Sequence, residues 1–266
     1  MEIKGIDLQL FATPSSKNLL LGAGKVFFNR LDSSGNYTGL RHLGNVPKFD
    51  LKTEVEKITK NQSMYAARTV YMEVVKQITV SADITLEEFV PANLAMAMLG
   101  EEGTVTQTAT AVVDEEHVAY PGMVIQTKSY NISNIVIKSS DSVTTYAAGT
   151  DYKVEASLSK AGLISIPEGS TMVSGDTVLV SYSKPAGTFA TVASAVDGSV
   201  EGYMLFAGDP TKGPAYNADL WHVTITPNGS LALIGDDLAS FDVTVTVMDD
   251  RENHPNEPLY RLIKLS

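Results

Sequence analysis

The sequence predicts a mainly β protein: a β-sandwich or barrel with a long hairpin and one short α-helix, interrupted by an inserted β-sandwich. Three observations carry the β reading. Residues 49–59 and 68–85 alternate polar with apolar, β-branched side chains around a polar break at Lys60-Asn61-Gln62-Ser63, FDLKTEVEKIT and then RTVYMEVVKQITVSADIT. Short apolar runs separated by turn residues recur between 122 and 183. FDVTVTVMDD near the end places Phe241, Val243, Val245 and Val247 on one face and Asp242, Thr244 and Thr246 on the other.

The elements follow in order. Residues 1–18, with Thr13-Pro14-Ser15-Ser16, read as an irregular arm. LLLGAGKVFFNRL, ended by Asp32-Ser33-Ser34-Gly35-Asn36 and followed by Tyr37 to Leu40, reads as strand, turn, strand. Gly22-Ala23-Gly24-Lys25 lacks the spacing of a phosphate loop, and no Ser or Thr follows the lysine. A close backbone approach is the better explanation of its glycines. The two alternating runs read as a hairpin of residues 49–85, with a helical reading of its middle left open. A ribbon of that length is marginal alone and needs a neighbour for its edges or its apolar side.

Thr85-Leu86-Glu87-Glu88 carries the residues of a capping box, which predicts a helix starting near Leu86 or, because of Pro91, a turn later. Leu86, Phe89, Val90, Leu94, Ala97 and Met98 would share its apolar face and Gly100 would end it. Residues 101–116 read as a polar link. Strands are expected over residues 122–127, 132–138, 152–155, 163–166 and 177–183, the pattern of a small sandwich bounded by Val112 and Lys184. AGTFATVASAVDG reads as a small-residue link. Strands resume in VEGYMLFAGD, LWHVTITP, SLALIG and FDVTVTVMDD, with Pro227-Asn228-Gly229-Ser230 as a turn joining two of them. The domain expectation is therefore a discontinuous β domain, residues 1–111 and 185–266, around an insert of residues 112–184.

Composition narrows the function. The 266 residues are 44% hydrophobic and 19% charged, and contain no cysteine, which removes disulfides, thiolate metal sites and thiol nucleophiles. The net charge of −11 falls unevenly: residues 1–104 carry 11 basic and 12 acidic side chains, 105–190 carry 5 and 8, and 191–266 carry 4 and 11. A chain so balanced is not built to neutralise nucleic-acid phosphates. MEIKGIDLQLF lacks a basic leader and apolar core, and no stretch approaches the roughly 20 apolar residues that cross a bilayer, so a soluble protein made in a cytoplasm, with no membrane partner, is expected.

His42, His117, His222 and His254 stand at no ligand spacing; the first, second and fourth are expected to be exposed and His222 to sit at a strand edge. Asp236-Asp237 and Asp249-Asp250 match no calcium loop. No Gly-x-Ser-x-Gly elbow is present. The expectation is a protein without catalytic, cofactor or metal sites.

The order of elements resembles the major tail tube proteins of long-tailed bacteriophages. The likeness rests on the hairpin of residues 49–85, TLEEFVPANLAMAMLG, VEGYMLFAGDPTKG and LWHVTITPNGSLALIGDDLASFDVTVTVMDD, roughly 190 residues taken together. The middle module, through Gly149-Thr150-Asp151-Tyr152, Ala161-Gly162-Leu163-Ile164 and Val178 to Tyr182, looks like the immunoglobulin-like modules common in virion proteins. Simple tube proteins lack such an insert, and the outside of the assembly is where one would be displayed.

The resemblance implies a structural virion protein, assembled in a bacterial cytoplasm, that stacks as hexameric rings into the conduit for genome ejection. Its partners would be itself and the tape-measure, terminator and distal tail proteins, and DNA would pass without specific binding. It also implies that the loop bearing Asn61, Gln62, Ser63, Met64, Tyr65 and Arg68 reaches the adjacent ring, and that Glu54, Glu56, Glu73 and Asp83 are candidates to face a neutral or acidic lumen. Two other readings stand beside it: another ring component of a tail or contractile injection apparatus (terminator, baseplate or injection tube), and a carbohydrate-binding sandwich using Trp221 and the tyrosines as stacking platforms.

Overall fold

A computed structural model describes residues 15–265; most of the expected arm lies outside that range. The protein is mainly β, with 50% of residues in strands, 6% in helices and several antiparallel sheets. It divides into two structural units, residues 1–102 with 192–266 and residues 103–191.

The chain enters through β1 (Gly24–Arg30) and β2 (Arg41–His42), then forms the two longest strands, β3 (Lys48–Asn61) and β4 (Val70–Leu86). After α1 (Pro91–Ala97) it leaves the first unit along β5 (Glu101–Gln107). The second unit holds β6 (Thr110–Val118), β7 (Val124–Gln126), β8 (Ser133–Ser139), α2 (Ala156–Lys160), β9 (Leu163–Ser165) and β10 (Thr177–Lys184). The chain returns along β11 (Gly187–Ala193) into β12 (Val200–Gly208), β13 (Tyr216–Asn228), β14 (Phe241–Val247) and β15 (Tyr260–Lys264).

In the first unit one antiparallel sheet runs β2-β1-β12-β13-β14-β4-β3, with β15 added to the start of β13. Its apolar face is the core. Val80, Ala82, Ile84 and Leu86 of β4 stand beside Phe241, Val243, Val245 and Val247 of β14 in strict register, all buried, as period-two alternation demands. The sheet curls enough for Phe49 on its last strand to stack on Phe206 of β12 with ring centroids 5.2 Å apart. Gly24 permits the opening of β1: a Cβ there would lie 2.5 Å from the Ala207 carbonyl oxygen, the close approach its sequence context suggests.

The helix departs from expectation. Thr85 and Leu86 complete β4, so no capping box forms; Leu86 is fully buried opposite Phe241, and that burial outweighs a surface cap. The helix starts at Pro91, where the missing N–H costs nothing. It buries Asn93, Ala95 and Met96. Its stop is made by Leu99 at φ 50°, not by Gly100, which is a glycine because a Cβ would lie 2.0 Å from the Ala193 carbonyl.

Other expectations are corrected in the same way. Residues 101–116 and 186–198 are not links: β5 and β11 pair with each other as the chain leaves and re-enters, so the second unit is wider than residues 112–184. Residues 152–155 make isolated bridges rather than a strand, and α2 follows them. SLALIG is loop, and β13 runs through Pro227 and Asn228 into a connection of residues 229–240 instead of turning there. The second unit holds a three-stranded sheet, β6-β10-β8, and the pair β7-β9 around its own core of Ile125, Ile137, Ile164, Val178, Val180 and their neighbours.

Candidate functional site

The feature that sets this fold apart is the outer half of the β3–β4 ribbon. β14 covers β4 only from Val80 to Leu86, so residues 70–79 pair with β3 alone. Ten residues of strand project roughly 30 Å at about 3.3 Å each. Every residue of 70–78 is exposed, as are residues 52–61 opposite them. Val55, Ile58, Val70, Tyr71, Met72, Val74, Val75 and Ile78 therefore stand in water, Tyr71 at 72% of its full exposure. They fall on both faces of the ribbon, the pattern of a strand pair covered on both sides.

Register decides which side chains share a face. Val80, Ala82 and Ile84 point to the core, so Ser81 and Asp83 point away, with Lys52 opposite Ser81, Asp50 opposite Asp83 and Glu54 opposite Thr79. Between Gln77 and Val75 a bulge at Lys76 shifts the alternation on β4, since these two pair with the consecutive residues Glu56 and Lys57. Glu54, Glu56 and Asp83 thus lie on one face, and Glu73, opposite Thr59, on the other. The four lumen candidates do not form one surface.

Nor are they free charges. Lys52 pairs with Glu54, Lys76 with Glu56 at 2.7 Å and Lys57 with Glu73 at 2.6 Å, while Asp83 accepts from the Thr244 hydroxyl at 3.1 Å. These exposed pairs contribute little to stability, but they leave the ribbon nearly neutral and able to approach another protein.

At the tip, Asn61 is the last residue of β3, not part of the loop. The Gln62 amide N–H donates to the Thr69 carbonyl at 2.9 Å, and its side-chain amide donates to the Ala67 carbonyl and the Thr69 hydroxyl, both at 3.2 Å. These bonds close the loop and hold Ser63, Met64, Tyr65 and Arg68 outward, all exposed. Gln62 Oε1 is buried with no partner.

The rest of the first unit offers less. A cleft of about 670 Å³ gathers Asp32, Glu101, Glu102, Asp197 and Glu201 around Arg30, which pairs with Asp197 and donates to the Gly100 carbonyl at 3.3 Å. Among the described residues no group of three His, Cys, Asp or Glu is placed to hold a metal. Ser199 donates to Glu201 at 2.9 Å, and Glu201 meets His222 Nε2 at 3.0 Å. The carboxylate stands between hydroxyl and imidazole, so the imidazole does not reach the serine.

His222 lies within β13, not at a strand edge, and His117 and His254 are partly buried on Glu115 at 2.8 Å and Asp250 at 2.7 Å. Trp221 cannot serve as a sugar platform: it is only 9% exposed, with His254 stacked on it at 3.8 Å and Arg261 at 4.9 Å. That cluster fastens the C-terminal segment, and Asp219 completes it, accepting from Tyr203 at 2.7 Å and Arg261 at 3.1 Å. Sequence reasoning missed Asp219, whose only signal was its place among apolar residues in NADLWHV.

None of the curated proteins compared with the chain matches it. A family model does match, over residues 19–260, nearly the whole described chain up to the first residue of β15, and on that match the chain belongs to the family described as Protein of unknown function UCP028589.

Proposed function

We propose that this protein is a structural subunit that polymerises with copies of itself through the β3–β4 ribbon, as a ring and then a tube, in the manner of the phage tail tube proteins its sequence resembles. The observation that carries this reading is the ribbon: about ten residues of unsupported two-stranded sheet with apolar side chains exposed on both faces. A two-stranded ribbon of this length is not stable in water unless a further strand or face covers it. Copies of the same ribbon, side by side, satisfy both edges at once, and closure into a barrel removes the last free edge.

The tip supports the same reading. Met64 and Tyr65 are exposed at the end of a loop held in shape by Gln62, as side chains that contact another copy would be. On the tube reading, Glu54, Glu56 and Asp83 share the polar sheet face that would line the lumen. Glu73 belongs to the opposite face and to contacts with a neighbour. The second unit, with its own core, is the inserted module, immunoglobulin-like in its resemblance, and the tail of a virion is the location proposed.

The test is electron microscopy and light scattering of the purified protein beside a Val74→Lys/Ile78→Lys variant. Rings or tubes are expected for the natural sequence and a monomer for the variant. A natural-sequence protein that remains monomeric at high concentration overturns the reading.

A further inference from the structure

The β13–β14 connection raises a separate question. Its apolar residues alternate as a strand's do, yet only Leu231 packs against the core, while Leu233, Ile234 and Leu238 point into solvent, Ile234 at 97% and Leu238 at 93% exposure. Asp236 and Asp237 stand exposed among them. The loop is an apolar finger with an acidic base, and apolar side chains so grouped mark a contact surface.

The complementary surface lies at the opposite end of the same sheet. Leu19, Leu20 and Leu21 are more than half exposed, and nothing among the described residues covers them. Leu21 is fixed there by its N–H to the Lys212 carbonyl at 2.9 Å, and Lys17, Lys25 and Lys212 are exposed around the patch, against one acidic neighbour, Asp209. The patch is next to the Tyr216 end of β13, because Gly24 pairs with Gly208 and Gly208 abuts Tyr216. The finger follows Asn228 at the other end of this strand of 13 residues, roughly 40 Å away.

We infer that the finger of residues 231–238 docks on the Leu19–Leu20–Leu21 patch of a second copy, leucines against leucines and aspartates against lysines. The two halves cannot meet within one chain, so the contact is head-to-tail and every docked copy presents a fresh finger. This inference rests on the self-assembly reading but uses a surface separate from the ribbon.

The absence of cysteine makes the test clean. A Leu20→Cys/Ile234→Cys double variant, oxidised and run without reductant, is expected to give a ladder of disulfide-linked multimers, since only sulfurs brought within a few ångströms can bridge. Each single variant is expected to give dimers at most. Adding Asp236→Lys and Asp237→Lys should reduce the ladder at least tenfold, and adding Lys17→Glu and Lys212→Glu as well should restore it.

If the natural protein associates by light scattering and the double variant gives no ladder, the docking is overturned and the ribbon reading stands. If the natural protein is monomeric and no ladder forms, both fall.

Discussion

Asn93 shows how one residue can hold three segments. It is fully buried in α1, donates to the Leu43 carbonyl at 2.9 Å and the Glu88 carbonyl at 3.0 Å, and accepts from Arg41 at 2.6 Å. Burial lowers the pKa of Arg41, so the Asn93 side-chain oxygen serves a cation short of water. Asn93→Ala leaves two carbonyls and a guanidinium without partners, and a loss of about 2–4 kcal/mol in urea unfolding is expected. Three carboxylates that each meet a histidine respond to acid. Hydrogen bonds from His222 and Ser199 hold Glu201 below the usual value of 4.5. Burial pushes Glu115 up, but hydrogen bonds from Tyr182, His117 and the Lys128 amide outweigh it and leave it below 4.5. Burial likewise raises Asp250, and the bonds from His254 and Asn253 bring it below 3.8. A lowered carboxylate contributes stability that is fully present above its unfolded pKa and is lost as pH falls through the folded one. The urea midpoint is therefore expected to hold above about pH 5 and fall on acidification below it, with a shallower fall in Glu201→Gln and Glu115→Gln.

At the scale of elements, the ribbon separates folding from association. None of its exposed residues between 52 and 78 belongs to the core cluster except through Val80 and the strand beyond it. Replacing residues 57–75 with a short turn should change the stability of the first unit by no more than about 1 kcal/mol, in line with surface changes elsewhere. Circular dichroism melts check the first part; light scattering should show loss of association. The two long strands and β14 were legible because alternation and burial agree in them, as in FDVTVTV. SLALIG alternates just as well and is loop, since alternation cannot say whether a partner face exists within the chain. EEGTVTQ and GTFATVA were read as links because glycine and small residues mask strands whose partner is each other. The ribbon itself could be read from the sequence, but the side of Glu73 could not: the bulge at Lys76 that turns it leaves no mark in the residue pattern.

At the scale of the molecule, two cores and a paired crossing point make the second unit separable. Gly103 and Thr191 are neighbours where the chain leaves and re-enters, a Cβ on the glycine falling 2.8 Å from the threonine hydroxyl. Joining Glu102 to Val192 through a two-residue turn, in place of residues 103–191, is expected to leave the first unit folded and able to associate, as electron microscopy of the shortened protein would show. The association itself is the central claim, and imaging the purified full chain at rising concentration tests it most directly. The account predicts closed rings and stacked tubes that disappear in Val74→Lys/Ile78→Lys; a protein that stays monomeric throughout would contradict it.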